Sequence, residues 1–187
     1  MFLDTYIHTE PLWLQQYYRH YESFMEARIH FNEFCSRLHT QRHCARVLLY
    51  VLKEAAFRHL AEGDIRILAT AAVFHDSRRR DDGLDVGHGQ RAARYYESYC
   101  QQGRLAFNPA VYDIMAWHDR DDEEGIAAMV RHHREGVIPL YQLFKDADAL
   151  DRFRISPTAL DVRFLRTEEA RNLVPYARRI VAETQAL

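Results

Sequence analysis

A histidine directly followed by an aspartate, His75-Asp76, ends an apolar stretch of the chain. An imidazole nitrogen beside a carboxylate oxygen suits iron, manganese, zinc or magnesium, with water completing the coordination shell. Adjacent side chains on a regular helix point about 100° apart, so both can reach one ion only where the helix ends. The polar segment 77–90, which contains glycines and no apolar period, predicts that ending.

Two distant residues are the candidate partners of this pair. His43 lies in the first turn of one predicted helix, and Asp148 lies near the end of another, between Ala147 and Ala149. A carboxylate among apolar neighbours needs a cation or hydrogen-bond donors, which favours Asp148 as a ligand. Asp146 lies two residues earlier, about 200° around the helix, so the two carboxylates cannot both bind one ion. Asp146 stays open as the alternative.

Helices must position these residues, because apolar residues recur at helical spacing along the chain and no alternating strand pattern occurs. Asn108-Pro109 has the composition of a helix start, and Gly63 and Gly103 stand where helices should end. Asp64 is predicted to cap the helix that leads to the histidine-aspartate pair. The predicted helices are 11–37, 41–62, 65–74, 88–102, 109–118, 126–134, 137–153 and a last one from 167 onward.

In order and spacing, four residues resemble the H…HD…D ligand signature of the HD superfamily, the all-α metal-dependent phosphohydrolases. They are His43, His75, Asp76 and Asp148, and the similar region covers about residues 38–155. The resemblance implies an HD-domain-like bundle of roughly seven to eight helices. It also implies that these residues hold a divalent ion, which could be manganese, iron, magnesium, zinc, nickel or cobalt, whose bound water attacks a phosphate ester.

Some members of that superfamily carry two metal ions and have further histidines between the HD pair and the last aspartate. His88 and His118 lie in this interval, and we expect them to line the site or to bind a second ion. His132 and His133 lie there too, but adjacent helical residues cannot both face inward. The glycine-tyrosine-proline signature of the cyclic-dinucleotide branch does not occur, so that activity is not implied.

Phosphate hydrolysis also needs positive charge, because the transition state spreads negative charge over several oxygens. Basic residues that follow the HD pair or flank Asp148 are the predicted phosphate contacts: Arg78, Arg79, Lys145 and Arg152. The planar fork of arginine suits phosphate oxygens, although a solvated loop is the alternative for the arginine run. Either Asp76 or Asp119 could orient the attacking water.

The bulk composition excludes several classes of protein. A net charge of −2 over 187 residues provides no basic field for nucleic acid, so that partner is not expected. The 3 cysteines, without CxxC spacing, argue against a disulfide framework or a thiolate zinc site: Cys35, Cys44 and Cys100. Residues 1–9 lack a signal-like pattern and no apolar stretch could span a membrane, which predicts a cytoplasmic protein.

Residues 1–187 are therefore interpreted as a single HD-like domain with an N-terminal helix in 1–37 and a C-terminal helical extension in 156–187. The expected activity is metal-dependent hydrolysis of a small phosphorylated molecule, for which a nucleotide is the favoured example. Two alternatives keep the fold: a di-iron oxygenase, which needs both His88 and His118 as ligands, and a non-catalytic binding or regulatory module. The aromatic N-terminal helix could cover the core or form the face of a homodimer, and both roles stay open.

Overall fold

A computed structural model describes residues 2–31, 38 and 40–185 of the chain. In these ranges the chain forms nine α-helices and no β-strand, so the all-α prediction is confirmed. Three short 3₁₀ helices connect the later elements: Glu135–Val137, Asp151–Arg154 and Val162–Phe164. The α-helices are α1 (Asp4–Ile7), α2 (Leu12–Arg28), α3 (Gln41–Arg58), α4 (Glu62–Phe74), α5 (His88–Gln101), α6 (Pro109–Trp117), α7 (Asp122–Arg131), α8 (Ile138–Leu150) and α9 (Glu168–Gln185).

Several helix ends lie where the sequence predicts them, and others do not. Helix α3 ends at Arg58 and Gly63 lies inside α4, so the prediction that Gly63 ends a helix is wrong. Asn108 caps α6, because its side chain accepts a hydrogen bond from the Ala110 N–H at 2.9 Å. Helix α4 begins at Glu62, so Asp64 lies inside the first turn and the prediction that it caps the helix is wrong. Helix α2 ends at Arg28 rather than at residue 37. Residues 32–37 and 39, including Cys35, lie outside the described residues.

Helices α3 and α4 form the centre of the bundle. Residues 43–52 of α3 are all buried, and so are residues 68–77 at the end of α4. Helix α3 packs against α2, α4, α8 and α9, whereas α4 packs against α2, α3, α6 and α8. A helix surrounded by others is apolar on every face, which explains the composition of α4. Because α4 ends inside the core, His75 and Asp76 are buried there.

The aromatic helix α2 covers one side of this core. Trp13, Tyr17, Tyr21 and Phe24 are partly buried against it, and the Phe24 ring lies 6.0 Å from that of Phe74 between centroids. Covering the core was one of the two roles expected for these aromatic residues, and the homodimer stays a prediction. Among the helices in the described ranges, none combines the length and apolar composition required to cross a membrane.

Glu54 of α3 is buried in this core, and neither of its carboxylate oxygens has a hydrogen-bond partner in the described part of the chain. Burial raises the pKa of this carboxyl well above its usual value, and the negative charges of Asp146 and Glu169 add to the effect. The folded state therefore favours the protonated carboxyl. Since the unfolded chain ionises near pH 4.3, the stability that this group contributes is lost as the pH rises above about 4.3.

Replacing Glu54 with glutamine should raise the free energy of unfolding at pH 8 by about 1 to 3 kcal/mol, because no buried carboxylate then has to be neutralised. The gain should shrink toward pH 5, where the unfolded chain also begins to bind the proton. Urea unfolding at both pH values, with a chelator present, measures the difference. Glu62→Gln, on the exposed start of α4, is the control and should give no such gain. Equal destabilisation of Glu54→Gln at both pH values would contradict this account.

Candidate metal centre

The histidine-aspartate pair lies at the point where α4 ends. The His75 N–H still donates to the Ala71 carbonyl at 3.0 Å, and the chain then turns, so that the Ser77 N–H donates to Phe74. This turn brings Nε2 of His75 to 3.8 Å from Oδ2 of Asp76. The ending of the helix thus allows the two adjacent side chains to approach each other, as the pair requires if it is to bind an ion.

His43, at the start of α3, completes a first group of ligand atoms. Its Nε2 atom lies 3.1 Å from Nε2 of His75 and 3.3 Å from Oδ2 of Asp76. Asp148 of α8 enters from the opposite side, with Oδ1 at 3.2 Å from Nε2 of His43. The start of α3, the end of α4 and the distant helix α8 therefore bring these four predicted ligands together.

His88 and His118 form a second group on the other side of Asp76. The Nε2 atoms of the two histidines are 2.9 Å apart. Oδ1 of Asp76 lies 3.0 Å from Nε2 of His88 and 3.7 Å from Nε2 of His118. The Asp76 carboxylate therefore lies between two histidine pairs, with one oxygen facing each pair.

Gly89 allows the second pair to form. A β-carbon at this position would lie 2.4 Å from the Met115 carbonyl oxygen and 2.9 Å from Nδ1 of His118. Such distances are too short for any side chain, so only glycine lets the start of α5 approach the end of α6 this closely. The preceding Gly87 has a φ of 94°, a left-handed conformation that glycine adopts without strain. Gly87 and Gly89 thus both help to position His88.

The hydrogen bonds of the four histidines turn their Nε2 atoms toward Asp76. In each ring, Nδ1 lies next to an acceptor to which it can donate, and Nε2 is then the nitrogen that can bind a metal ion in place of a proton. The acceptors are Oδ2 of Asp151 for His43 (2.7 Å), the Ala72 carbonyl for His75 (2.9 Å), the Asp85 carbonyl for His88 (3.0 Å) and the Met115 carbonyl for His118 (2.7 Å). This is the arrangement by which proteins orient imidazole toward metal ions.

The Nε2 nitrogens and carboxylate oxygens lie so close together that a positive charge between them is required. Oδ1 of Asp76 is buried and receives no hydrogen bond from the described residues, although Nε2 of His88 is only 3.0 Å away. Unprotonated nitrogens and carboxylate oxygens at such distances repel each other unless a cation or proton lies between them. Two overlapping groups have ligand atoms within 4.8 Å of one another and could hold a metal ion: His43, His75 and Asp148, and His75, Asp76 and His118.

The pKa values of the histidines and aspartates are consistent with this requirement for positive charge. Burial lowers the pKa of His43, as does Arg154, but hydrogen bonds with Asp148, Asp151 and Asp76 outweigh both and raise this pKa to about 9. Burial lowers the pKa of His75 to about 3. Burial alone would raise the pKa of Asp76, yet the surrounding histidines hold it well below its usual value. The centre therefore keeps its carboxylates ionised and attracts cations.

The two carboxylates on α8 have different partners. Asp146 is fully buried and accepts hydrogen bonds from the Thr167 N–H at 2.7 Å, the Thr167 hydroxyl at 2.8 Å and the Arg166 N–H at 2.8 Å. These donors lie at the start of α9, so Asp146 anchors that helix to α8. Asp148 faces His43 instead. The geometry thus supports the preference for Asp148 over Asp146.

A carboxylate that we did not predict as part of the site lies directly behind His43. Asp151 is fully buried, accepts from Nδ1 of His43 and is held by Arg46, whose Nε and Nη2 donate at 2.6 and 2.9 Å. Its spacing of three residues from Asp148, on the same helical face, is a signal that the sequence offered. Asp151 orients the histidine.

No family model, curated protein or solved structure matches this chain. The resemblance to the HD superfamily therefore depends on the four signature residues, and it stays a prediction.

A cavity of about 470 Å³ opens beside Asp76, His88 and His118, and only two of the four predicted phosphate contacts line it. Arg79 and Arg152 line it. Arg78 does not, because its guanidinium lies 3.3 Å from the centre of the Tyr95 ring. Lys145 is also outside this cavity and donates to Asp122 at 2.7 Å and to the Arg120 carbonyl.

Further charged residues line the same cavity. Arg120 and Arg154 also line it, and Nε of Arg120 is buried without a hydrogen-bond partner in the described residues. Asp119 lines it too, and Oδ2 of this residue accepts from the Gly87 N–H while Oδ1 accepts no hydrogen bond from the described residues. His132 and His133 are exposed and do not line the cavity.

Proposed function

We propose that this protein binds two divalent metal ions and hydrolyses a small phosphate ester, as its resemblance to the HD superfamily predicts. The observation that carries the proposal is the position of Asp76, whose two carboxylate oxygens face two separate pairs of histidine Nε2 atoms. A carboxylate shared in this way is suited to join two ions into one centre. Both groups of ligands come from rigid helix ends, which keeps their relative positions fixed.

The residues divide naturally between the two ions. One ion would be held by His43, His75, Asp148 and Oδ2 of Asp76, and the other by His88, His118 and Oδ1 of Asp76. Two divalent ions would lower the pKa of a coordinated water and neutralise charge on the phosphate oxygens. Asp151 and three backbone carbonyls accept from Nδ1 of the four histidines and would so orient Nε2 of each ring toward the ions.

The arginines of the cavity favour an anionic substrate. Four of them line it: Arg79, Arg120, Arg152 and Arg154. Arg152 is exposed, and its Nε is fixed by the Ala159 carbonyl at 3.0 Å, so the two terminal nitrogens of the guanidinium are presented to solvent. A guanidinium held in this way can bind two phosphate oxygens at once. The volume of about 470 Å³ is that of a small-molecule site.

Asp119 is the candidate for proton transfer. One of its oxygens is engaged by the Gly87 N–H, and the other is buried without a hydrogen-bond partner in the described part of the chain. Both oxygens of Asp76 face the histidine pairs, so that residue serves better as a metal ligand than as a base. Asp119 can therefore accept a proton from the attacking water and pass it to the leaving group.

A second candidate function uses the same ligands. His88 and His118 both face Asp76, which supports a di-iron oxygenase as well, because that function needs both histidines as ligands. Two irons could then oxidise a substrate with oxygen. The four arginines of the cavity favour phosphate hydrolysis over this alternative, but they would also suit an anionic substrate of oxidation.

Metal analysis and an activity panel test the proposal together. We expect about two ions per chain after reconstitution with manganese, iron or zinc, and hydrolysis of phosphate esters, including nucleotides, that a chelator abolishes. Two irons with oxygen consumption and no hydrolysis would favour the oxygenase. A folded protein that binds none of these metals would contradict both functions and leave a non-catalytic module. His132→Ala removes an exposed histidine outside the site and should behave like the wild type.

A further inference from the structure

A second cavity of about 360 Å³ adjoins the one at the candidate metal centre. The two cavities share His118, Asp148 and Arg152 in their linings, so the second opens directly from the centre. We call this second cavity the side lobe. Its distinctive lining is apolar and comes from α8 and the segment before α9: Ala149, Leu160, Phe164 and Leu165. A molecule bound at the metal ligands could extend into the side lobe without crossing protein.

Apart from Asp148 and Arg152, which the side lobe shares with the main cavity, its charged residues are paired with other side chains. Arg166 donates to Asp122 at 2.6 Å and to Asp146 at 2.9 Å. Lys145 lies 2.7 Å from Asp122, and Asp161 accepts from Arg163. These pairs leave no unpaired charge on the part of the side lobe that lies beyond the shared residues. A second phosphate would gain little here, whereas a neutral group would fit.

Phe164 is the most distinctive residue of the side lobe. Its side chain is 75% exposed, although the segment that carries it is firmly anchored. Asp161 caps the 3₁₀ helix at the Arg163 N–H, and the next residue, Leu165, is only 2% exposed. The backbone that carries the ring is therefore anchored on both sides, while the surface of the ring stays open. A fixed, open aromatic surface is suited to stacking against another ring.

We propose that the side lobe binds a neutral aromatic group of the substrate, such as the base of a nucleotide, against Phe164. This inference rests on the proposed function, because the phosphate is assigned to the metal ligands and Arg152. The fixed guanidinium at the junction binds the phosphate, and the organic group lies beyond it in the side lobe. Phe164 is thus a specificity residue that selects what the phosphate is attached to.

Three phosphate monoesters test this inference: benzyl, cyclohexylmethyl and methyl phosphate. Their leaving alcohols have nearly equal acidity, so differences in rate report on binding of the organic group. We expect the wild type to prefer benzyl over methyl phosphate in kcat/KM by about tenfold, mainly through KM, with cyclohexylmethyl phosphate between them. Phe164→Ala should remove this preference while leaving methyl phosphate unchanged. Phe164→Tyr should retain it.

Val162→Ala is the matched control, because Val162 is partly exposed on the same 3₁₀ helix and lines neither cavity. Calorimetric titration of the metal-loaded protein with benzylphosphonate and methylphosphonate measures the same selectivity without turnover. Hydrolysis of all three esters at equal efficiency, unaffected by Phe164→Ala, would overturn the side-lobe inference alone. Equal kcat/KM values for benzyl and cyclohexylmethyl phosphate would overturn the aromatic assignment and indicate that the side lobe binds any apolar group. No hydrolysis of any ester and no selectivity between the phosphonates would overturn both proposals.

Discussion

Replacing Asp76 with asparagine is expected to remove both metal ions and to lower hydrolytic activity by about a thousandfold or more. The reason is that its two oxygens face both histidine pairs, so one substitution disturbs both groups of ligands. Loss of metal assistance in phosphate transfer costs several kcal/mol of transition-state stabilisation, and about 1.4 kcal/mol corresponds to tenfold in rate. Metal content per chain, measured by mass spectrometry after gel filtration, gives the direct readout.

Comparing the metal content of several variants would distinguish a carboxylate shared by two ions from a ligand of one ion. His88→Ala should lower the metal content from two ions to one, because His88 belongs only to the second group. Asp64 lies in α4, the helix that leads to His75 and Asp76, twelve residues before Asp76 and about 18 Å away along the axis. The control variant Asp64→Asn should therefore retain both ions. Two ions retained by Asp76→Asn, with unchanged helicity, would contradict a bridging carboxylate.

The fold was largely predictable because each helix carries its own local signals. Apolar spacing and the Asn108-Pro109 start identified α6, and the polar segment after Asp76 identified the end of α4. The errors fell at helix ends, where propensities compete closely. Asp64 has a capping side chain, but α4 extends past it to Glu62, whose carboxylate also favours the first turn.

The four candidate metal ligands could be singled out in the sequence because they combine unusual residue types with helical settings. Their partners could not, because hydrogen bonding between distant helices leaves no periodic pattern. Arg78 and Arg79 are neighbours with the same chemistry, yet one stacks on Tyr95 and only the other lines the cavity. Asp151 and Arg46 are separated by more than one hundred residues and meet only in the folded chain. Tertiary contacts, rather than local sequence, select these residues.

Asp151→Asn is expected to weaken metal binding by about 10- to 100-fold, since Asp151 orients His43 through a 2.7 Å hydrogen bond to Nδ1. It should also lower the free energy of unfolding by about 3 to 5 kcal/mol, because the buried Arg46 guanidinium then loses its carboxylate. Competition against a chelator measures the affinity. Urea unfolding in excess chelator measures the stability without a contribution from bound metal.

The two effects have different origins, and a second substitution separates them. In the double variant Arg46→Met, Asp151→Asn, no buried guanidinium is left unpaired, so much of the lost stability should return. The metal affinity should stay low, because His43 still lacks its ionised partner. Recovery of both quantities would mean that Asp151 acts only by holding α3 against the 3₁₀ helix that follows α8. Recovery of stability alone would assign to Asp151 a direct role in presenting His43 to the ion.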